Sequence, residues 1–315
     1  MSQTETSPMG HNRTKGVKMR GLILENIANL YRVQVKGSNK INVYEAIARG
    51  KFRKDEISPV VGDFVELEIV DEEKRQAVIE RIENRNVFVK RPKLANITQI
   101  IFVVSSKEPK PDLLMLDKQL AFAEYLGIKA VIVLNKTDLD KKGAFKEIKN
   151  VYENIGYTVI ETEARNQKGI NILRKVLKNN VNAFSGNSGV GKSTLINGIF
   201  NKTITEEGEI SKKNKRGKNT TTAIKLYGID EDTYIADTPG FSTFDISEIE
   251  SKDLDRYFKE FKENIKNCEF VGCTHIKEEN CGIKEAIENG NIDKTRYERF
   301  CKIYEELKYK EERKW

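Results

Sequence analysis

A glycine-rich stretch with the pattern G-x4-G-K-S is the first part of this chain that could do chemistry. With the residue after it, the stretch comprises Gly186, Asn187, Ser188, Gly189, Val190, Gly191, Lys192, Ser193 and Thr194. Glycines let backbone N–H groups turn towards phosphates, and a helix beginning at the end of the loop adds positive potential. We expect Lys192 to contact the β- and γ-phosphates of a nucleotide, and Ser193 to bind Mg²⁺. A fortuitous glycine turn is the alternative, and the strand before and helix after the stretch disfavour it.

A second phosphate-site pattern, Asp-Thr-Pro-Gly, begins at Asp237 directly after an apolar strand. An aspartate there can hold Mg²⁺ through water, and the N–H of Gly240 can meet a γ-phosphate. By itself the tetrapeptide also makes a good turn. One of three threonines between the two patterns should complete the Mg²⁺ shell and order the segment as a switch. Thr221 is the candidate, although the sequence does not separate it from Thr220 and Thr222.

The tetrapeptide Asn135-Lys136-Thr137-Asp138 follows another apolar strand. The Asp138 carboxylate can accept hydrogen bonds from N1–H and the 2-amino group of guanine, whereas adenine offers neither. A mismatch of this kind discriminates by about 10⁴-fold. The predicted nucleotide is therefore GTP with Mg²⁺, although the tetrapeptide could by itself be a turn. It precedes the phosphate loop, whereas in ordinary GTPases it follows, so the order indicates a circularly reordered GTP site.

A group of potential metal ligands lies near the C-terminus, with the spacing C-x4-C-x-H-x5-C. The ligands are Cys268, Cys273, His275 and Cys281. Three thiolates and one imidazole make a closed tetrahedral set, which predicts one structural zinc ion that would help a charged segment to fold. Incidental cysteines are the alternative. Cys301 lies on a helical stripe with aromatic residues and is interpreted as a small buried hydrophobe.

The elements that must position these residues suggest a multidomain α/β protein. Residues 1–19 are polar and are expected to be a disordered extension. Five short segments with alternating or β-branched residues in 20–92 predict a β-barrel of the OB type, with an SH3-like barrel as the alternative. Apolar strands alternating with helices in 93–248 predict a parallel sheet, here a circularly permuted P-loop GTPase domain. Residues 249–315 are charged and are expected to form a helical zinc-binding domain.

The composition limits the partners and the location. The chain is 33% charged and 38% hydrophobic, with a formal net charge of +7. This balance favours an anionic partner, either nucleic acid or a membrane surface, although a basic soluble protein would look similar. The sequence has no apolar run long enough to cross a bilayer and no apolar stretch of a signal peptide. We therefore expect a cytoplasmic protein.

These motifs, in this order, resemble the circularly permuted ribosome-small-subunit-dependent GTPases (RsgA, also called YjeQ or EngC). The resemblance covers nearly the whole chain, and the cysteine and histidine spacing matches the family pattern. It implies an OB domain, a permuted GTPase domain and a C-terminal zinc domain. It also implies GTP hydrolysis stimulated by the small ribosomal subunit during its late maturation.

Three positions depart from what a GTPase of this kind usually has. Asn219 stands where the family usually carries a switch histidine, and Glu163-Ala164 stands where Ser-Ala usually follows the guanine motif. Phe241 occupies the place of the water-orienting glutamine of many GTPases. Because an apolar ring cannot orient water, we expect slow intrinsic hydrolysis that a group from the partner completes.

The function expected from the sequence is that of a monomeric GTPase that binds the small ribosomal subunit and its rRNA. The basic run at residues 212–218 could sense RNA phosphate, or it could be only a solvated loop. Two alternatives remain open at this point. One is a permuted GTPase for large-subunit assembly, and the other is a zinc-containing RNA-binding module that senses GTP without turnover.

Overall fold

The computed structural model describes residues 17–36, 41–50, 52, 57–207, 224–237 and 246–313, with only the backbone described at 41, 201–207 and 237. Contacts between Cα atoms divide the chain into two compact units that meet in sequence between Arg85 and Asn86. The second unit holds the nucleotide motifs and the cysteine-bearing segment together. The division of the chain into 1–19, 20–92, 93–248 and 249–315 stays a prediction.

The first unit is a closed barrel of five strands. They are β1 Lys18–Ile27, β2 Leu30–Lys36, β3 Ile41–Ala48, β4 Phe64–Asp71 and β5 Gln76–Ile82. Their order is β1-β2-β3-β5-β4, and β4 pairs with β1 to close the barrel. Only β3 and β5 are parallel. This Greek-key order confirms the predicted OB-type barrel.

The barrel core follows from the alternation of apolar residues along the strands. Ile23, Val33, Val65, Leu67 and Ile79 are fully buried, and each lies on one of these five strands. Residues on one face of a strand recur with period two, so the apolar set points inwards once the register is fixed.

The second unit contains a six-stranded sheet and a small hairpin. The hairpin pairs β6 Phe88–Val89 with β7 Leu94–Ala95. The sheet strands are β8 Gln99–Ser105, β9 Lys129–Asn135, β10 Thr158–Thr162, β11 Val181–Ser185, β12 Lys225–Gly228 and β13 Tyr234–Asp237. Their spatial order is β10-β9-β8-β11-β13-β12. All neighbours are parallel except β12 with β13, which confirms the predicted parallel α/β sheet.

Six α-helices accompany these strands in the described residues. They are α1 Leu113–Tyr125, α2 Ala144–Asn154, α3 Ile170–Leu177, α4 Lys192–Glu207, α5 Gly282–Glu288 and α6 Lys294–Glu312. Asp112 caps α1, because its Oδ1 accepts from the N–H of Met115 at 3.0 Å. No helix in the described ranges is long and apolar enough to cross a membrane.

The cysteine-bearing segment packs against α1. Between residues 246 and 267 it consists of four short 3₁₀ segments, although the sequence predicts helix in general terms there. Apolar side chains of α1, the 3₁₀ segments, α5 and α6 form one core that includes Phe122, Leu254, Phe258, Phe261, Ile283 and Phe300. This shared core explains why the segment belongs to the same compact unit as the sheet.

A buried group of charges reinforces this packing. The Arg296 side chain on α6 is 1% exposed and pairs with Asp117 of α1, which is 0% exposed, and with Glu260. Asp117 also accepts from Nε of Arg299 and, at 2.6 Å, from the hydroxyl of Tyr152. Charges buried this deeply are stable only when they are paired, so each member requires the others.

Replacement of Arg296 by methionine is expected to destabilise the second unit by about 3–5 kcal/mol, because Asp117 and Glu260 would lose a buried cation. Urea denaturation of the variant against the natural chain measures the change. Lys302→Met is the matched control, since Lys302 is exposed on the same helix. If both variants unfold at the same urea concentration, the buried group contributes nothing to stability.

Candidate nucleotide and metal sites

The phosphate loop lies at the carboxyl end of a central strand. β11 runs between β8 and β13, and all five of its residues are buried. The loop at 186–191 follows β11, and α4 begins at Lys192. Ligands of open α/β sheets bind outside the carboxyl ends of the strands. The loop is therefore placed where a phosphate can meet a helix N-terminus.

Two loop glycines are required by their surroundings. Gly186 and Gly191 have φ of 140° and 104°. A Cβ on Gly186 would lie 2.3 Å from the carbonyl oxygen of Val103, and one on Gly191 would lie 2.3 Å from Nδ2 of Asn135. Any side chain would thus force the loop away from β8 or from the guanine tetrapeptide.

Lys192 lies half-buried beside the loop. Its Nζ donates to the carbonyl oxygens of Gly186 at 2.5 Å and Asn187 at 3.0 Å. Burial lowers the pKa of this ammonium from its ordinary value. Ser193 and Thr194 are exposed in the first turn of α4. The ammonium group of Lys192 and the hydroxyl groups of Ser193 and Thr194 therefore lie at the loop. An anionic oxygen would be a stronger hydrogen-bond partner for the ammonium group than a carbonyl oxygen is.

The side chain of Asn135 joins the guanine tetrapeptide to the phosphate loop. This buried amide donates from Nδ2 to the carbonyl oxygen of Val190 at 2.9 Å. Its Oδ1 accepts from Oγ1 of Thr162 at 2.9 Å and from the N–H of Ala164 at 3.2 Å. One side chain thus connects the ends of β9 and β10 with the loop after β11.

The rest of the tetrapeptide turns at the same sheet edge. Lys136 adopts a left-handed conformation with φ of 63°, and its Nζ donates to the carbonyl oxygen of Glu108 at 2.5 Å. Thr137 and Asp138 begin a 3₁₀ turn in which the Asp138 side chain is exposed. Thr137 donates from Oγ1 to Glu163 at 3.2 Å. The structure therefore brings together the two motifs that the sequence separates.

Several expected site residues lie outside the described residues, namely Thr221, Gly240, Asn219, Phe241 and the basic run 212–218. Asp237 ends β13, and Ala236 before it pairs with Ala183 of β11. The backbone of Asp237 therefore reaches the same sheet edge as the phosphate loop.

The segment after β8 also borders this site, which the motifs did not indicate. The carbonyl oxygens of Lys107 and Glu108 accept from Lys136, and Pro109 lies 3.6 Å from a Cβ built on Gly189. The sequence does contain a general signal for this segment, because residues that directly follow a central parallel strand lie at the edge of the sheet where ligands bind.

The four expected metal ligands converge. The ligand atoms of Cys268, Cys273, His275 and Cys281 all lie within 4.8 Å of one another. Nδ1 of His275 is 3.6 Å from Sγ of Cys268 and 3.3 Å from Sγ of Cys281. Zinc bonds of about 2.3 Å to sulfur and about 2.1 Å to nitrogen in a tetrahedron place these atoms about 3.6 Å apart. The cluster is therefore compatible with a zinc site.

Neighbouring groups fix the imidazole in this cluster. Nε2 of His275 faces Oδ2 of Asp255 at 3.4 Å, and the hydroxyl of Tyr297 donates to the carbonyl oxygen of His275 at 2.6 Å. The ring packs edge-on against Phe261, with 5.8 Å between the ring centroids. A carboxylate behind a ligating histidine sets its tautomer and its orientation. Nδ1 is thereby left for a metal ion.

The loop between His275 and Cys281 is closed by Glu278. Burial disfavours the ionised carboxyl, but hydrogen bonds from the N–H groups of Thr274 and Lys277 outweigh it and hold the pKa of Glu278 at about 2. Burial raises the pKa of the Cys273 thiol to about 12. A bound cation reverses that direction, because a coordinating thiol is deprotonated.

Replacement of Asn135 by alanine is expected to destabilise the nucleotide-free protein by about 1–3 kcal/mol. The hydroxyl of Thr162, the N–H of Ala164 and the carbonyl of Val190 would each lose a buried partner. Thr162→Val removes one of these bonds and should cost less. Asn150→Ala, on the exposed face of α2, is the control. Thermal unfolding gives the ranking, and equal midpoints for Asn135→Ala and the control would contradict this role.

Profiles of two known domains match this chain. The one described as RsgA GTPase matches residues 73–247, and the one described as RsgA N-terminal domain matches residues 20–79. The small ribosomal subunit biogenesis GTPase RsgA of Clostridium botulinum strain Kyoto / Type A2 is 40% identical over 297 residues, which cover 94% of this chain and 100% of that protein. The protein of the same name from Ruminiclostridium cellulolyticum is 40% identical over 288 residues, 91% of this chain and 93% of its own.

Two solved structures share the fold. The crystal structure of YjeQ from Thermotoga maritima superposes with a TM-score of 0.79 at 33% identity, covering 92% of this chain and 99% of that one. The crystal structure of YloQ, a circularly permuted GTPase, superposes with a TM-score of 0.78 at 27% identity, covering 96% and 99%. The chain therefore belongs to the RsgA GTPase family and is a GTP hydrolase.

Proposed function

We propose that this protein binds GTP with Mg²⁺ and hydrolyses it while bound to the small ribosomal subunit and its rRNA during late maturation of that subunit. The observation that carries the proposal is the hydrogen bond from Asn135 to the carbonyl of Val190, at 2.9 Å. It supports the proposal because it joins the turn that begins at Asn135 to the glycine-rich loop after β11 at one sheet edge. The names of the relatives, small ribosomal subunit biogenesis GTPases, support the partner.

In this proposal the phosphate loop residues bind the triphosphate through their N–H groups, and the Lys192 ammonium leaves the loop carbonyls for the β- and γ-phosphates. The Ser193 hydroxyl, together with Thr221, is assigned to Mg²⁺, which neutralises charge on the transferring phosphoryl group when it is bound. Asp237 holds that ion through water, and the N–H of Gly240 meets the γ-phosphate. Asp138 accepts from the guanine edge and gives preference over adenine.

The partner is assigned a part in the chemistry. Phe241 cannot orient a water molecule, and Asn219 stands where the family usually has histidine. Intrinsic turnover is therefore slow, and the small subunit supplies the missing group or reorders the switch. The net charge of +7 suits an RNA partner. The same proposal includes a monomeric protein in the cytoplasm, with the barrel and the cysteine-bearing segment as its RNA-contacting parts.

GTP turnover titrated with small subunits, large subunits or neither tests this function. Small subunits should raise turnover by about 10²-fold or more, as partners do in GTPases that lack part of their machinery. Lys192→Ala should lower the stimulated rate by about 10²-fold or more, because a cation at the transferring phosphate is lost. Lys175→Ala, exposed on α3, is the control.

Equal rates of GTP turnover with and without small subunits would contradict the proposal. Stimulation by large subunits alone would instead favour a permuted GTPase of large-subunit assembly. Tight GTP binding with no turnover under any condition would favour an RNA-binding module that only senses the nucleotide.

We also propose that Cys268, Cys273, His275 and Cys281 hold one structural zinc ion. The ligand set is closed, so the ion fixes the fold of the segment and leaves no position for substrate. The distances from Nδ1 of His275 to two sulfur atoms, 3.6 and 3.3 Å, support this assignment.

Purified protein should contain one zinc ion per chain by elemental analysis, and Cys281→Ser should lose it. Asp255→Asn should weaken zinc affinity by about 10- to 100-fold, because Asp255 orients the histidine ligand. Asp253→Asn is the matched control, since Asp253 pairs with Arg256 instead. Competition with a chromogenic chelator measures both variants. Equal zinc affinity in the two variants would show that Asp255 does not support the ligand.

A further inference from the structure

The loop at 163–168, which follows β10, is closed at its ends in two ways. The backbone of Glu163 and Lys168 forms an antiparallel bridge, with N···O distances of 3.1 and 3.2 Å. Their side chains pair as well, with Nζ of Lys168 2.6 Å from Oε1 of Glu163. A side-chain ion pair directly above a backbone bridge holds both ends of this loop in one place.

The 163–168 loop lies between the guanine tetrapeptide and α4. The N–H of Ala164 donates to Oδ1 of Asn135 at 3.2 Å. On the other side, a Cβ built on Gly198 of α4 would lie 3.0 Å from Nε2 of Gln167. The loop therefore lies against both the tetrapeptide and the helix that begins at the phosphate loop.

The Glu163 carboxylate is the part of the loop that touches the tetrapeptide. Its side chain is only 14% exposed. It accepts from Oγ1 of Thr137 at 3.2 Å, from Nδ2 of Asn166 at 3.2 Å and from Lys168. The hydrogen bond from Lys168 contributes most to lowering the pKa of Glu163, followed by that from Asn166. Since Thr137 begins the turn that carries Asp138, Glu163 anchors that turn.

Two carboxylates, those of Glu163 and Asp138, therefore lie around one short turn. Lys168 is the cation bound to Glu163, and its pKa is raised chiefly by that hydrogen bond and to a smaller extent by the charge of Asp138. Without Lys168, the Glu163 carboxylate would keep only two neutral partners, the hydroxyl of Thr137 and the side-chain amide of Asn166. Such a group turns towards water, and this weakens its hydrogen bond from Thr137, whose hydroxyl also lies 3.5 Å from the carbonyl oxygen of Thr162.

We propose that Glu163 and Lys168 act as a positioning pair for guanine recognition. Lys168 holds Glu163 against Thr137, and this bond fixes the turn that presents Asp138 to N1–H and the 2-amino group of the base. The inference rests on the proposed function and deepens it. The pair acts through Thr137, so it governs affinity and base preference, and the hydrolysis step is left unchanged. It also gives a role to the glutamate that stands where the family usually has serine.

The test compares affinities for GTP and ITP, which lacks the 2-amino group, in the complete chain. Lys168→Ala should weaken GTP binding by about fivefold, the scale of one partly exposed charged pair. ITP binding should weaken less, so the GTP/ITP preference falls, while kcat with saturating GTP and small subunits stays unchanged. Lys168→Arg should retain the natural preference.

A double variant distinguishes the pair from a general effect on folding. Glu163→Gln combined with Lys168→Ala removes both charges and keeps an amide oxygen of the same reach that can accept from Thr137, so GTP affinity and preference should recover. Lys146→Ala, exposed on α2, is the control for loss of a surface charge. Circular dichroism of each variant checks that it is folded.

Three results would contradict the positioning role of Glu163 and Lys168. They are an unchanged Lys168→Ala variant, an equal loss for GTP and ITP, and a double variant as weak as Lys168→Ala alone. Asp138→Ala separates this failure from failure of the proposed function. If Asp138→Ala abolishes the preference for GTP while Lys168→Ala does not, only the pair is wrong. If Asp138→Ala binds GTP like the natural chain, the proposed base site is wrong, and the positioning role of Glu163 and Lys168 is then wrong as well.

Discussion

One buried amide connects the parts of the candidate nucleotide site that the chain order keeps apart. Asn135 bonds to Val190 in the phosphate loop and to Thr162 and Ala164 after the next strand. In a permuted chain these segments are not held together by short connections. The site therefore depends on strand pairing in the sheet and on a side chain whose amide nitrogen and oxygen both have hydrogen-bond partners in one geometry. Gly191 belongs to the same constraint, because only a glycine leaves room for that amide.

A second constraint joins the cysteine-bearing segment to the nucleotide site. Arg296 and Arg299 pair with Asp117 on α1, and Gln119 of the same helix donates to Oγ of Ser185 at 3.0 Å. Ser185 is the last residue of the strand before the phosphate loop. Helix α1 thus contacts both the loop strand and the metal-ligand segment. Contacts between packed side chains therefore connect the cysteine-bearing segment with the strand before the phosphate loop.

Circular permutation of the chain leaves the candidate site at the carboxyl ends of the parallel strands. β9, β10, β11 and β13 end at the same edge, although they occur in an order unlike that of an ordinary GTPase. Parallel strands gather the residues that follow them, so motifs can exchange places along the chain and still meet in space. Glu163, which stands where the family usually has serine, accepts from Thr137 at 3.2 Å at this edge.

The sequence by itself determined the motifs, their order, the four residues of the cysteine and histidine cluster and the type of most strands. These properties are local, since a glycine pattern, an apolar run or an alternation is complete within a few residues. Tertiary structure alone decided the strand order and pairing that close the barrel, the 3₁₀ segments before Cys268, and the partners of Asn135, Glu163 and Arg296. Arg296 and Asp117 are 179 residues apart in the chain. No local periodicity encodes such a pair, because its geometry exists only after the helices that carry it have packed.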